Sequence, residues 1–313
     1  MSEFKVLIAD GLEETGKAIL HSSVNLNDHT GISPEDLLAI IKDYDALLVR
    51  SRTKVTAQVF DVATRLKVVG RVGVGVDNID LEAAKGYGVT VVNAPTSTSL
   101  AVAELTLGLM LSMARELPRA DAGMKQGRWL KKELTGSELH GKTLGILGMG
   151  RIGAEVAKRA SIFGMHILGY DPLIPSDEIK QRGAESVALE DLYARSDYIS
   201  LHLPLTDETR SMVDEQAFGR MKRGVRIVCA ARGGIIDEAA LLAALESDQV
   251  AGAALDVFAS EPPGANELVT HPKVIATPHI GAQTAEAQSR AAKDIANEVL
   301  AALSGESLRW KVV

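Results

Sequence analysis

The sequence predicts an α/β protein built from two doubly wound parallel-sheet domains, and three observations carry that prediction. Short runs rich in Val, Ile and Leu alternate with amphipathic stretches along almost the whole chain. The runs are continuously apolar instead of alternating, the mark of strands covered by helices on both faces. They also fall into two sets on either side of a long apolar helical stretch, which makes two sheets and not one.

The first set of strands is read at 5–9, 46–49, 67–70 and 89–92. Ser97, Thr98 and Ser99 then open a helical stretch over about 100–119. Its apolar residues cover nearly every face, so another domain or another subunit must bury it. The second set lies at 143–147, 166–170, 198–201, 225–228, 251–255 and 274–276. A last helical pattern runs over about 285–304, with Ala287, Ala291, Ile295, Val299 and Leu303 near one face. A glycine motif typical of a domain's first strand begins only at Gly148. The first 95 or so residues therefore form a separate domain, to which the closing helix crosses back.

The 313 residues are 46% hydrophobic, enough for two cores. A net charge of −7 excludes a global attraction to nucleic acid or to an anionic membrane, so an anionic ligand must be held by local cations. Cys229 is the single cysteine, which rules out an intrachain disulfide and a cysteine-rich metal site. No histidine–carboxylate spacing suggests a metal centre. The first residues lack the pattern of a secretory leader, and the apolar stretch 105–113 falls far short of the ~20 residues that span a bilayer. A soluble, cytoplasmic protein is expected.

Gly148-Met149-Gly150-Arg151-Ile152-Gly153 follows the strand 143–147 and precedes a helical pattern at 154–163. In that context the first glycine allows the tight turn, the second lets backbone approach a pyrophosphate, and the third lets helix and strand pack closely. The helix N-terminus offers N–H donors and partial positive charge to the phosphates, and Arg151 adds a cation there. Asp171 ends the next strand. An acid at that point accepts the ribose hydroxyls and repels a 2′-phosphate, which favours NAD over NADP.

Ligands in such sheets collect at the carboxyl ends of the strands. Arg232 follows the strand 225–228, Glu261 follows 251–255, and His279 follows 274–276. Histidine titrates near neutrality and suits proton transfer. A carboxylate bonded to it fixes its tautomer, and an arginine grips a substrate carboxylate with two parallel hydrogen bonds. Together the three read as acid/base, partner and carboxylate ligand of an NAD-linked dehydrogenase. His21, His29, His140, His166 and His271 lack such company, and His202 reads as structural or as backing the cofactor pocket.

These motifs resemble those of the D-isomer-specific 2-hydroxyacid dehydrogenases. The resemblance runs through Val49-Arg50-Ser51-Arg52-Thr53, Gly70-Arg71-Val72-Gly73-Val74-Gly75-Val76-Asp77-Asn78, the glycine motif, Ala231-Arg232-Gly233-Gly234, Ala254-Leu255-Asp256-Val257-Phe258 with Glu261, and Pro278-His279-Ile280-Gly281-Ala282. It implies a Rossmann NAD-binding domain at 96–283, inserted into a flavodoxin-like substrate-binding domain at 1–95 and 284–313. It implies NAD contacts at Gly148, Gly150, Arg151, Ile152, Gly153, Asp171, Ala230, Arg232, Asp256, His279 and Ala282. Arg50, Ser51, Val74, Gly75, Arg232 and His279 are the implied contacts to a small anionic 2-hydroxy acid. It also implies a homodimer, possible as half of a tetramer, through the helical region 99–119.

The likeness is strongest to the branch that oxidises 3-phospho-D-glycerate. Members of that branch often carry further C-terminal domains that this sequence does not contain, so feedback by serine through such a domain is not expected. Arg50 and Arg52, and Lys131 and Lys132 of a neighbouring subunit, are the candidate phosphate cations. Reduction of glyoxylate or hydroxypyruvate is the rival within the enzyme class. A non-enzymatic NAD-sensing scaffold is the rival outside it, against which the complete Arg232, Glu261 and His279 set argues.

Overall fold

The structure is a computed structural model and describes residues 4–313. Residues 1–3, on which the reading of the leader partly rests, lie outside the described residues. The chain divides into two compact units. One runs to Ser99 and resumes at Ala282–Val313, and the other is Leu100–Gly281.

The first unit holds β1 (Lys5–Ile8), β2 (Asn25–Asp28), β3 (Ala46–Val49), β4 (Val68–Arg71) and β5 (Thr90–Val92). They pair in the order β2-β1-β3-β4-β5, all parallel. This is the flavodoxin-like order, with its switch point between β1 and β3. Strand β2 escapes the sequence reading because Asn-Leu-Asn-Asp is polar and sits at the sheet edge, where only one side is paired. The closing helix, Ala285–Ser304, covers one face of this sheet: Ala291, Ile295, Val299 and Leu303 join Val6, Ile8, Leu48 and Val68 in one core. Burying each of the large aliphatic side chains contributes about 1.5–3 kcal/mol. Beyond the helix, the backbone of Val312 and Val313 pairs with Val91 and blunts the edge of β5.

The second unit holds β6 (Thr143–Leu147), β7 (His166–Tyr170), β8 (Glu185–Ser186), β9 (Tyr198–Leu201), β10 (Val225–Cys229), β11 (Val250–Leu255) and β12 (Val274–Ala276). Their order is β12-β11-β10-β9-β6-β7-β8, again all parallel. The chain starts in the middle at β6, winds outward through β7 and β8, then crosses back to β9. That is the doubly wound dinucleotide-binding order, with its switch point between β6 and β9. Strand β8 has two residues, too few for any apolar run to show in the sequence.

One helix differs from expectation. The stretch read as continuous over 100–119 is two helices, Ser99–Ala114 and Leu117–Lys125. Glu116 between them is left-handed, with φ 48°, and Pro118 follows. Proline cannot donate the hydrogen bond a continuing helix requires, and it crowds the preceding turn. The all-round apolar character of the first helix is largely answered within the chain. Ala103, Leu107, Met110 and Met113 pack with Leu144, Ile146, Val228 and Ala254 against the second sheet. Leu100, at the start of that helix, is exposed, and more exposed apolar side chains follow at Leu117, Met124 and Trp129, the last 75% exposed. Among the described residues no helix is long and apolar enough to cross a membrane.

Candidate active site

In the second unit, the chemistry-bearing residues stand at the carboxyl ends of successive strands: Gly148 after β6, Asp171 after β7, His202 after β9, Ala230 and Arg232 after β10, Asp256 after β11 and His279 after β12. A parallel sheet delivers every such loop to the same edge, which is why residues far apart in sequence share one rim.

The glycine turn has the shape a dinucleotide needs. Gly148 has φ +95°, and a Cβ there would sit 2.7 Å from the His202 carbonyl carbon, so the turn is pressed against the end of β9. A Cβ on Gly153 would collide with the Gly148 carbonyl oxygen, which is the close strand–helix packing this glycine permits. A Cβ on Gly150 would meet nothing within 4 Å, so this side of the turn is open to an approaching group. Gly150 caps the helix Arg151–Ile162, which begins three residues earlier than the sequence suggests and presents its first N–H groups at the turn. Arg151 is exposed and Ile152 half-buried. The open Gly150 and the helix donors fit the diphosphate of a dinucleotide, and the acid at Asp171 fits its ribose.

Asp171 is half-buried and does more than its position at a strand end announces. Its Oδ2 accepts from Met149 N at 2.9 Å and its Oδ1 from Leu173 N at 2.9 Å. It thereby ties the glycine turn to the end of β7. Sequence reasoning missed a second tie, from Arg182 to the Met149 carbonyl.

His202 is placed behind the turn. Its Nε2 lies 2.7 Å from Ser200 Oγ, and its Nδ1 is buried without a hydrogen-bond partner among the described residues. Burial pushes its pKa down to about 3, so the ring is neutral at physiological pH and carries no charge toward a ligand. Cys229, at the end of β10, is likewise buried, and desolvation pushes its thiol up to about 11. It is a packing residue, not a nucleophile.

His279 and Glu261 meet. His279 Nδ1 lies 2.7 Å from Glu261 Oε2, with the side chains 44% and 38% exposed. Glu261 is itself held, its Oε1 accepting from Phe258 N at 3.2 Å. With Nδ1–H donated to the carboxylate, Nε2 is the nitrogen left to take or give a proton. His279 has φ 52°, a left-handed conformation that a non-glycine residue adopts only when its surroundings enforce it. Asp256 enforces it. This carboxylate is 1% exposed. Its Oδ1 accepts from Thr277 Oγ1 at 2.6 Å and Ile280 N at 2.8 Å, and its Oδ2 from Gly281 N at 2.8 Å. The family resemblance implies that Asp256 is a cofactor contact. The structure adds that it is the frame of the His279 turn.

Arg232 is half-buried on the loop after β10, with Nη1 donating to the Ala231 carbonyl at 2.7 Å. The next residue explains the loop's course. A Cβ on Gly233 would collide with the Phe258 carbonyl, so the Arg232 loop lies directly against the loop that carries Glu261. Among the described residues no group of three or more His, Cys, Asp or Glu could hold a metal ion.

In the first unit, Arg50 and Ser51 follow β3, and Val74 and Gly75 follow β4, on the carboxyl edge of their own sheet. Asp10 organises the β3 loop, accepting from Arg50 N at 2.8 Å and from Thr53 N at 2.9 Å. Arg52, considered above as a phosphate cation, is spent on this frame: it donates to Asp10 Oδ1 at 3.1 Å and to the carbonyls of Ala9 and Ile32. Among the described residues the Arg50 guanidinium makes a long pair with Glu13, at 3.9 Å. Asn93 donates to the Val74 carbonyl at 2.7 Å and fixes that turn. Ala282 is half-buried and opens the returning segment. Lys131 and Lys132 are exposed.

A family model for the D-isomer specific 2-hydroxyacid dehydrogenase NAD binding domain matches residues 107–281. The chain is 48% identical over 305 residues to D-3-phosphoglycerate dehydrogenase of Rattus norvegicus, covering 97% of this chain and 57% of that protein. It is 50% identical over 303 residues to D-3-phosphoglycerate dehydrogenase of Methanocaldococcus jannaschii, covering 96% and 58%. The chain thus spans little more than half the length of these curated relatives. Among solved structures, a glyoxylate reductase from Paecilomyes thermophila superposes with a TM-score of 0.91 at 33% identity, covering 100% of this chain and 99% of that one.

Proposed function

The chain belongs to the D-isomer-specific 2-hydroxyacid dehydrogenases, and we propose that within them it oxidises 3-phospho-D-glycerate to 3-phosphooxypyruvate with NAD. The observation that carries the chemical part is the His279–Glu261 hydrogen bond at 2.7 Å beside the Arg232 loop.

In this reading Arg232 grips the substrate carboxylate with two parallel N–H···O bonds and fixes the orientation of C2. His279 Nε2 takes the proton of the C2 hydroxyl as the C2–H bond breaks, and the C–O single bond becomes a carbonyl. Glu261 holds Nδ1–H throughout and stabilises the imidazolium that forms. Bound nicotinamide supplies the hydride acceptor. Gly148, Gly150, Arg151, Ile152 and Gly153 would hold the diphosphate and Asp171 the ribose, with Ala230, Arg232, Asp256, His279 and Ala282 completing the cofactor contacts. Arg50, Ser51, Val74 and Gly75 stand as the substrate ligands of the first unit.

The phosphorylated substrate is favoured over glyoxylate by the relatives. Identity to the phosphoglycerate enzymes is 48–50%, against 33% to the glyoxylate reductase. A homodimer would form through the helical region 99–119, where Leu100 and Leu117 are exposed, with Met124 and Trp129 exposed just beyond it. Lys131 and Lys132 would then lie beside that interface, and a tetramer would pair two such dimers. A cytoplasmic location accords with a dehydrogenase that draws on a soluble NAD pool. The direct test is product identification. Incubation with 3-phospho-D-glycerate and NAD yields 3-phosphooxypyruvate, trapped as its hydrazone and identified by mass spectrometry; unchanged substrate would overturn the proposal.

Asp171→Ala is expected to lower the ratio of kcat/KM for NAD to that for NADP by at least ~10-fold, because the acid that repels a 2′-phosphate is gone. The ratio is the quantity to measure, since loosening the turn at Met149 weakens both cofactors alike. An unchanged ratio shows that another residue reads the ribose.

A further inference from the structure

Met149, the middle of the glycine turn, is held at both of its backbone polar groups by side chains from outside the turn. Its N–H donates to Asp171 Oδ2 at 2.9 Å. Its carbonyl accepts from Arg182 Nη1. Arg182 lies just past the helix Ser176–Gln181, on the crossover from β7 to β8. Its Nη2 donates to Glu178 Oε1, one helical turn back, so the guanidinium is itself aimed and its charge offset. The Met149 side chain is fully buried, and a Cβ on Gly169 would sit 2.9 Å from its Cγ. The residue is therefore pinned in the core as well as at its backbone.

A trans peptide is planar, and its C=O and N–H point to opposite sides. Asp171 takes the Met149 N–H, and the Gly148 carbonyl of the same peptide faces the other way, onto Gly153, where a Cβ would strike it. By the same geometry Arg182, in fixing the Met149 carbonyl, fixes the direction of the Gly150 N–H on the far side of the next peptide plane. Gly150 is the residue whose Cβ position is open. With no side chain on Gly150 to resist rotation, this peptide flips more readily than one between two residues that carry side chains.

We infer that Arg182 is a positioning residue for the cofactor diphosphate. It holds the Met149 carbonyl so that the Gly150 N–H stays turned to the open side, where a phosphate oxygen accepts it. Arg182 acts through the Met149 carbonyl, to which its Nη1 donates, while its Nη2 donates to Glu178. The inference rests on the reading of this turn as an NAD site. The sequence around it, Lys180-Gln181-Arg182-Gly183, shows only a charged turn.

The test is calorimetric titration of NAD and ADP-ribose, with adenosine followed by ligand-observed NMR, against the unaltered chain, Arg182→Met and Arg182→Lys. Arg182→Met is expected to bind NAD and ADP-ribose ~10-fold more weakly, the loss of one oriented hydrogen bond, with adenosine affinity within ~2-fold. KM for NAD rises by the same factor, while kcat at saturating NAD holds. Arg182→Lys, which keeps a donor for the Met149 carbonyl, recovers a large part of the loss. Equal losses for adenosine would show a general disturbance and overturn the inference. So would NAD and ADP-ribose affinities within ~2-fold of the unaltered chain in Arg182→Met. If the unaltered chain binds no NAD, the cofactor reading falls and takes the inference with it; normal binding with no loss in the variant overturns the inference alone.

Discussion

Replacing His279 by alanine lowers kcat by at least ~100-fold and leaves NAD binding largely intact, because the proton of the C2 hydroxyl loses its acceptor while the diphosphate and ribose contacts stay in place. His279 sits at φ 52°, a left-handed conformation that costs any residue with a Cβ about 1–2 kcal/mol, histidine and alanine alike. His279→Asn, which bears a left-handed turn readily, guards against a change in the turn itself: it should lose the same activity. Turnover near that of the unaltered chain in either variant would remove His279 from the mechanism.

Asp256→Ala is expected to cost both stability and activity. The substitution strands three donors, the Thr277 hydroxyl and the N–H groups of Ile280 and Gly281, around a site that is 1% exposed. Leaving buried donors of a charged acceptor unpaired costs about 3 kcal/mol or more. For a domain of this size that corresponds to a fall of about 6–12 °C in Tm, read by differential scanning calorimetry. Activity at a temperature where the variant is folded should fall as well, since the left-handed turn that aims His279 loses its frame. Asp256→Asn, which keeps an acceptor, should lie between. A Tm within ~2 °C of the unaltered chain would show that water or a shifted side chain satisfies those donors.

The features legible in the sequence are those in which one residue type has one physical reason to stand where it does. Continuous apolar runs located ten of the twelve strands, because a strand buried on both faces has no freedom to be polar. The two that escaped, Asn25–Asp28 and Glu185–Ser186, are an edge strand and a two-residue pairing, where that constraint lapses. The break at Glu116 was masked because apolar and helix-forming residues flank it, although Pro118 was the available sign. In the site, Gly148, Gly150 and Gly153 could be read from spacing alone, as could the strand-end positions of Arg232, Glu261 and His279. The hydrogen-bond frame could not. Asp10 holding the β3 loop, Asp256 holding the His279 turn and Arg182 holding Met149 act across separations of 21–43 residues, and no local pattern records such ties. Arg52 is a further instance: its sequence neighbours suggest a ligand, and its bonds to Asp10 and to the Ala9 carbonyl, which hold the β3 loop, leave no local sign.

The central claim is that this site oxidises a phosphorylated 2-hydroxy acid with NAD, and one kinetic comparison tests it most directly. Initial rates are measured side by side for 3-phospho-D-glycerate with NAD, and for glyoxylate and hydroxypyruvate with NADH, on the unaltered chain and on Arg50→Leu. The account predicts a higher kcat/KM for the phosphorylated acid, lost preferentially in Arg50→Leu. A clear preference for the unphosphorylated acids, unaffected by Arg50, would contradict it.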